Sequence, residues 1–304
     1  MGTVESAEEL LTDLYVDLRD KVRFWSSITK QTPQARMGYV GQHLVSVVTG
    51  FPGSRSGARG LDLVLPGGKH AEIKTCSRVD QLGLCEKCKA GVSSIEFTCP
   101  SCGSESIVRK DDSKWLIALK DEKELVEAFQ PELYYLVLFD FIDLQSAEDI
   151  RARIWQVNSK SLGFVYCMVD YYFNIKKNAP FNLWPMMLKF YLMEPVLIYS
   201  ATVSKIGKIT TDIFLGKVGK EKFEVLPNLV DLARSKSENL PDHGISFVAN
   251  ELSVSTSGLS KKEILGNIEK LRSKPKFDEH ALTQLFVSAV YKDKVSKYRK
   301  YFPK

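Results

Sequence analysis

A chain of 304 residues with 44% hydrophobic, 11% aromatic and 26% charged residues has the make-up of an ordinary folded protein of about two domains. That composition excludes a disordered, collagenous or coiled-coil chain. Its 42 Lys and Arg against 37 Asp and Glu leave a net charge of +5, which permits a polyanionic partner without requiring one. No stretch supplies the roughly 20 mostly apolar residues of a membrane span. The richest window, 181–200, contains Lys189 and Glu194 and is interrupted by Pro185 and Pro195. Glu5, Glu8 and Glu9 are wrong for a signal peptide, and six cysteines in so long a chain do not make a secreted disulfide scaffold. A cytoplasmic protein is expected.

The first predicted element is a helix. Ser6 and Glu9 have capping-box spacing, and Leu11, Leu14, Leu18, Val22 and Trp25 recur at helical intervals behind them. A second helix is expected to start at Thr32-Pro33, with Met37, Val40, Leu44 and Val47 as its apolar stripe and Gly50 as its end. A Gly/Ser/Arg-rich stretch (GFPGSRSGARG) follows. Residues 61–65, the Pro66-Gly67-Gly68 turn and residues 71–75 then read as a β-hairpin.

Further along, residues 122–129 have helical character. Leu133–Phe141 (LYYLVLFDF) has the continuous apolar pattern of a central strand, and 151–157 (RARIWQV) alternates like another. The aromatic region 164–198 belongs to the core without a clear helix or strand period. Residues 234–244 form the best linker candidate. Ser260 and Glu263 repeat the capping-box pattern ahead of Ile264, Leu265, Ile268 and Leu271. The expected organisation is a core over 1–235 with a small insertion at 82–108, then a helical, basic portion over 236–304.

Two motifs carry chemistry. Cys85-Glu-Lys-Cys88 and Cys99-Pro-Ser-Cys102 are two CxxC pairs with ten residues between them. A two-residue spacer lets both thiolates of a tight knuckle face one Zn²⁺, and four thiolates leave no position open for a catalytic water, so the zinc is expected to be structural. Gly103 suits a knuckle turn of positive φ, and residues 93–98 are expected to form one strand of the ribbon. An intracellular setting argues against disulfides, and neither pair lies in the βαβ setting of a redox CxxC. Cys76 and Cys167 read as buried packing residues. Basic neighbours (Lys87, Lys89, Arg109, Lys110) let the ribbon touch phosphates, and a clip that only closes a loop fits equally well.

The second motif is Glu72-Ile73-Lys74. Acid-x-Lys also occurs at Asp112-Ser-Lys114 and Asp121-Glu-Lys123, but only Glu72 lies in a convincing strand with an acid, Asp62, on the strand before it. Alternation puts Glu72 and Lys74 on one face, and the hairpin brings Asp62 toward it. Two carboxylates and the Ile73 carbonyl make a hard oxygen site that suits Mg²⁺ or Mn²⁺. The competing reading is a solvated strand edge decorated with charges.

On these residues the chain resembles the PD-(D/E)xK nuclease superfamily, the fold of many type II restriction endonucleases, and with its inserted zinc ribbon it is similar to the MamI-like enzymes. The resemblance implies an α/β mixed sheet flanked by helices. It also implies Mg²⁺-dependent hydrolysis of double-stranded DNA, with Asp62 and Glu72 on the metal and Lys74 serving the attacking water. A homodimer acting on specific sites, with 5′-phosphate and 3′-hydroxyl ends, follows from the same likeness. Leu61 stands where the pattern often has Pro, and Gln42 stands where relatives carry a helical Glu. His43, beside it, reads as a packed or exposed residue. Arg55, Arg59 and Arg78 are candidate DNA contacts, as are the lysines and arginines of the last third. A structure-specific repair or recombination nuclease and a non-enzymatic zinc-ribbon DNA-binding module remain as alternatives.

Overall fold

The computed structural model describes residues 2–54, 61–175, 178–216, 226, 228–232, 242–291 and 299–301. The chain divides into two compact units that interleave along the sequence. The first takes Met1–Trp115, Leu133–Gln156 and Val196–Glu221; the second takes Leu116–Glu132, Val157–Pro195 and Lys222–Lys304.

The described strands are β1 (Leu63–Val64), β2 (His70–Ser77), β3 (Gly83–Cys85), β4 (Gly91–Val92), β5 (Ile107–Val108), β6 (Trp115–Ile117), β7 (Leu133–Phe141), β8 (Ile150–Asn158), β9 (Phe181–Leu183), β10 (Val196–Val203) and β11 (Ile209–Phe214). The first unit is built on a six-stranded mixed sheet of order β1-β2-β7-β8-β10-β11. The β2–β7 pair is parallel, with Glu72 beside Tyr134 and Lys74 beside Leu136; β1–β2, β8–β10 and β10–β11 are antiparallel. The expected mixed α/β architecture is what the molecule has. Near-continuous burial along β7 places it in the middle of the sheet, as its apolar run predicts. Trp115 donates from its ring nitrogen to the Val137 carbonyl at 2.8 Å and meets Trp155 edge to face, so two large rings lie buried beside that strand.

Among the described residues, three helices belong to this unit: α1 (Val4–Leu11), α2 (Leu18–Thr29) and α3 (Gly38–Thr49), with a π-helical turn, Thr12–Asp17, joining α1 to α2. The first helix is where its periodicity predicts, but its cap lies three residues earlier. Thr3 accepts the Ser6 N–H, so Ser6 and Glu9 fall inside the helix. Leu11 is buried, whereas Trp25 is 59% exposed, so the apolar stripe leaves the core before the helix ends. Glu8 accepts from the Thr211 N–H and hydroxyl, covering part of the β11 edge that an exposed strand would leave open.

The second helix begins at Gly38 rather than at Thr32-Pro33. Pro33, Ala35 and Met37 are buried while Gln34 and Arg36 are exposed, the period-2 pattern of an extended segment, and Ser93 Oγ holds the Pro33 carbonyl. The helix ends at Gly50, as expected, with φ 72° and its N–H on the Ser46 carbonyl.

In the second unit, β6 pairs with β9, and the segment up to Pro195 resolves into α5 (Leu162–Asp170), a π-helical turn, β9 and α6 (Leu188–Leu192), while 196–198 open β10 of the first unit. Preceding them is α4 (Glu122–Glu127), capped by Asp121. After them come α7 (Leu229–Leu232), α8 (Asp242–Glu251), α9 (Lys261–Arg272) and α10 (Glu279–Tyr291). The Ser260–Glu263 capping box opens α9 as predicted, with Ile264, Leu265 and Ile268 buried. Of the linker candidate, 234–241 lie outside the described residues, and Asp242, His243 and Gly244 begin α8.

Candidate active site and candidate metal centre

The hairpin predicted around the Pro66-Gly67-Gly68 turn is present. Leu63 pairs with Ala71 and Val64 with His70, and Gly67 and Gly68 both take positive φ in the turn. Asp62 sits just before β1. Its Oδ2 accepts the Ile73 main-chain N–H at 2.8 Å, so the side chain supplies an acceptor to β2. On β2, Glu72 is buried and Lys74 Nζ donates to Glu72 Oε1, which puts both on one face as the period-2 reading requires. On one side Glu72 has Tyr134 of β7 beside it; on the other, β1 reaches only His70 and Ala71, and the Asp62 side chain takes up the Ile73 N–H beyond them.

The electrostatics follow from this packing. Burial raises the Asp62 pKa above the ordinary carboxylate range; the Ile73 N–H opposes the shift, Glu72 adds to it and Lys74 opposes it. Tyr134, beside Glu72 on β7, is pushed up by burial and then by the charges of Glu72 and Asp62. Two carboxylates therefore share one partly desolvated site with the Lys74 ammonium. Tyr134 belongs to this site and was missed, because a tyrosine in an apolar run carries no signal of which neighbour it will face.

Helix α3 approaches this hairpin at Gly41. A Cβ there would lie 2.2 Å from Thr75 Oγ1, and Thr75 Oγ1 also donates to the Gly38 carbonyl at 3.4 Å. The close approach sets Gln42 beside the acids: its Nε2 lies 3.5 Å from Asp62 Oδ1, a long hydrogen bond. His43, next in the helix, is exposed. Arg78, at the far end of β2, is tied to the Ser113 carbonyl at 3.4 Å and to Asp111 at 3.7 Å. Arg55 and Arg59 lie outside the described residues.

Cys85, Cys88, Cys99 and Cys102 converge, with all four Sγ atoms within 4.8 Å of one another. The Cys85–Cys102 and Cys88–Cys99 sulfurs stand 3.6 and 3.5 Å apart. Four sulfurs at about 2.3 Å from a tetrahedral Zn²⁺ would stand about 3.8 Å from each other, so the donor set fits that ion. The two knuckles repeat one backbone pattern. Lys89 N donates to the Cys85 carbonyl and Gly103 N to the Cys99 carbonyl, and Cys85 N and Cys99 N donate to the carbonyls of Ala90 and Ser104. Lys89 and Gly103 both take positive φ, at 61° and 69°. Main-chain N–H groups of Cys88 and Lys87 draw the Cys85 thiol down to about 6.

The ribbon itself is the three-stranded sheet β4-β3-β5. Residues 93–98 form turns rather than the expected strand, because their side chains are used as anchors: Ser94 Oγ holds the Val79 carbonyl and Glu96 accepts the Ser93 N–H. Cys76 and Cys167 are buried, as predicted.

Several basic residues of the last third are already engaged. Arg272 is braced by Glu269 and Glu279 and by the Leu226 carbonyl, and Lys300 pairs with Glu122. Lys261 is half-buried, while Lys262, Lys270, Lys274 and Lys276 are exposed, and the Arg299 side chain is not among those described. Lys292, Lys294, Lys297 and Lys304 lie outside the described residues.

Compared with protein-family models, residues 24–230 match the family described as MamI restriction endonuclease, a span of more than half the chain. The chain belongs to the MamI restriction endonuclease family. The matched span contains both the Asp62–Lys74 hairpin and the four-cysteine ribbon. Comparisons with curated proteins and with solved structures return no match. Membership in the MamI family makes this chain one of the DNA-cleaving nucleases, with DNA as its partner. Among the described residues, no helix is long and apolar enough to cross a membrane.

Proposed function

We propose that the chain is a Mg²⁺-dependent type II restriction endonuclease that hydrolyses phosphodiester bonds at specific sites in double-stranded DNA. The observation that carries this reading is the grouping of Asp62, Glu72 and Lys74 on one hairpin, with Asp62 held by the Ile73 N–H. That grouping is the one the PD-(D/E)xK pattern calls for, with Leu61 in the place of its Pro.

Asp62, Glu72 and the Ile73 carbonyl would hold the Mg²⁺. The fit rests on chemistry: hard oxygens suit this ion, and the upward shift that burial and Glu72 impose on Asp62 is a penalty that a divalent cation removes. When bound, Mg²⁺ neutralises charge on the scissile phosphodiester and makes water acidic enough to attack near neutral pH. Lys74, tethered to Glu72, donates hydrogen bonds that orient the attacking water. Gln42 supplies a neutral amide beside Asp62, where a helical Glu would have brought a further charge.

The products would carry 5′-phosphate and 3′-hydroxyl ends, and a homodimer would present one site to each strand. Arg55, Arg59 and Arg78 are proposed DNA contacts, and the zinc ribbon is proposed as a structural element. Incubating purified protein with Mg²⁺ and long duplex DNA, then sequencing the ends, tests the reading. Discrete ends at one repeated sequence support it. Ends determined by DNA structure would point to a repair or recombination nuclease, and binding without cutting to a zinc-ribbon binding module. Full Mg²⁺-dependent activity in both Glu72→Ala and Lys74→Ala would overturn the site assignment.

A further inference from the structure

The first unit carries a second charged feature outside the hairpin. An open cleft of about 330 Å³ lies between the amino-terminal helix, the ribbon and the β10–β11 turn, lined among others by Arg19, Arg23, Phe97, Glu148, Lys205 and Ile206. The π-helical turn Thr12–Asp17 lies just ahead of the first two arginines, and such turns are frequent at functional sites.

The cations of the cleft are incompletely neutralised. Arg19 donates to two neutral oxygens, the Tyr15 hydroxyl and the Ser94 carbonyl, so neither contact cancels its charge. Its field reaches Arg109, whose pKa is lowered by burial first and by Arg19 second, against an opposing effect of Glu96. Arg23 pairs with Asp20 at 3.1 Å and Lys205 with Glu148, both near the surface with cation side chains 50% and 58% exposed. Surface pairs of this kind are weak, so their cations are easily redirected to a stronger anion. Among the described residues lining the cleft, three cations thus face two carboxylates.

Apolar groups stand among these charges. The Lys205 ammonium lies 5.8 Å from the Phe97 ring centroid, and Ile206 at the tip of the turn is 87% exposed. The tip is seated firmly: Gly207 has φ +78°, and a Cβ there would meet Val16 Cγ1 at 2.9 Å. A nucleic-acid backbone alternates phosphates with apolar sugar faces and carries one charge per nucleotide on each strand, which matches cations set around Phe97 and Ile206.

We infer that this cleft docks the phosphodiester backbone of DNA, as a contact surface additional to the Asp62–Lys74 hairpin. The inference rests on the reading of DNA as substrate. It assigns positioning of the duplex, and no chemistry, to Arg19, Arg23 and Lys205.

The test is equilibrium binding of the full chain to duplex DNA without divalent cations, followed over a salt titration. In Arg23→Ala/Lys205→Ala, affinity is expected to fall about tenfold at low salt. The slope of log K against log salt should become shallower by about 1 to 2, since each phosphate contact contributes roughly 0.9 to it. Lys205→Arg, which keeps the charge, should bind as the wild type does. An unchanged affinity and slope in the double variant, with the wild type binding well, overturns the cleft assignment alone. Failure of the wild type to bind duplex DNA overturns both this inference and the nuclease reading.

Discussion

Asp62 Oδ2 and the main-chain N–H of Ile73, 2.8 Å apart, join the residue before β1 to the strand that carries Glu72 and Lys74. The contact fixes the carboxylate against β2 by a main-chain donor that no substitution of Ile73 except proline removes. Asp62→Asn keeps an oxygen that can accept this N–H and loses only the charge. Mg²⁺-dependent cleavage is therefore expected to fall by at least about 100-fold while the fold is retained, measured as initial rates on a single-site duplex.

The same variant makes a prediction about pH. The native pKa of Asp62 is raised, so the native state binds its proton more tightly than the unfolded chain does. Above the unfolded pKa the ionised group therefore subtracts from stability. That deficit fades as pH falls through the raised native value. In metal-free protein, Asp62→Asn should melt at or above the wild-type temperature at pH 7, with the difference shrinking toward acid. A variant that melts lower at pH 7 and equally at acid pH would refute the assigned direction.

Gly41 and Thr75 should be coupled. A Cβ on Gly41 falls 2.2 Å from Thr75 Oγ1, so Gly41→Ala must push α3 off β2, at about 1–3 kcal/mol, and carry Gln42 away from Asp62. Thr75→Ala removes the two nearest atoms, Oγ1 and Cγ2, and leaves only Cβ, at 3.1 Å. In a double-mutant cycle by denaturant unfolding, the pair should be clearly less destabilised than the sum of the singles. Additivity would mean that the helix does not press on this strand.

Asp140 holds two cations on β8, Arg151 at 2.9 Å and Arg153 at 2.8 Å, and the Arg153 side chain is only 8% exposed. Asp140→Ala leaves that guanidinium without its carboxylate, and breaking a buried pair from one side costs about 3–5 kcal/mol. Urea unfolding should show the loss, and Asp140→Ala/Arg153→Met should recover part of it.

Zinc is expected at one ion per chain by elemental analysis, and to be lost in Cys99→Ser. The ribbon grips its surroundings through Ser93 on Pro33, Ser94 on Val79 and Arg19 on the Ser94 carbonyl. Removal of the metal should therefore make 82–108 sensitive to protease first and then loosen the extended lead into α3, since so small a segment lacks a core of its own. Protease resistance of metal-free protein equal to that of the zinc form would count against the site.

What short-range chemistry governs was legible from the residues. The CxxC knuckles, the Ser260–Glu263 capping box and the hairpin bearing Glu72 and Lys74 depend on partners a few positions apart, so spacing specifies them, while the strand Leu133–Phe141 was legible from its continuous apolar run although its β2 partners lie far earlier in the chain. The start of α3 misled because Pro33 is a good first helical residue in isolation; its carbonyl is instead held by Ser93, sixty positions away.

The tertiary structure decided the rest. The order of strands, the approach of Gly41 to Thr75, the setting of Gln42 and Tyr134 around Asp62 and Glu72, and the cleft between α2 and the β10–β11 turn join segments far apart in the chain. Such contacts are chosen by which apolar faces can be buried together. No local period records that choice, because the energy that selects it belongs to the assembled core and not to any one segment.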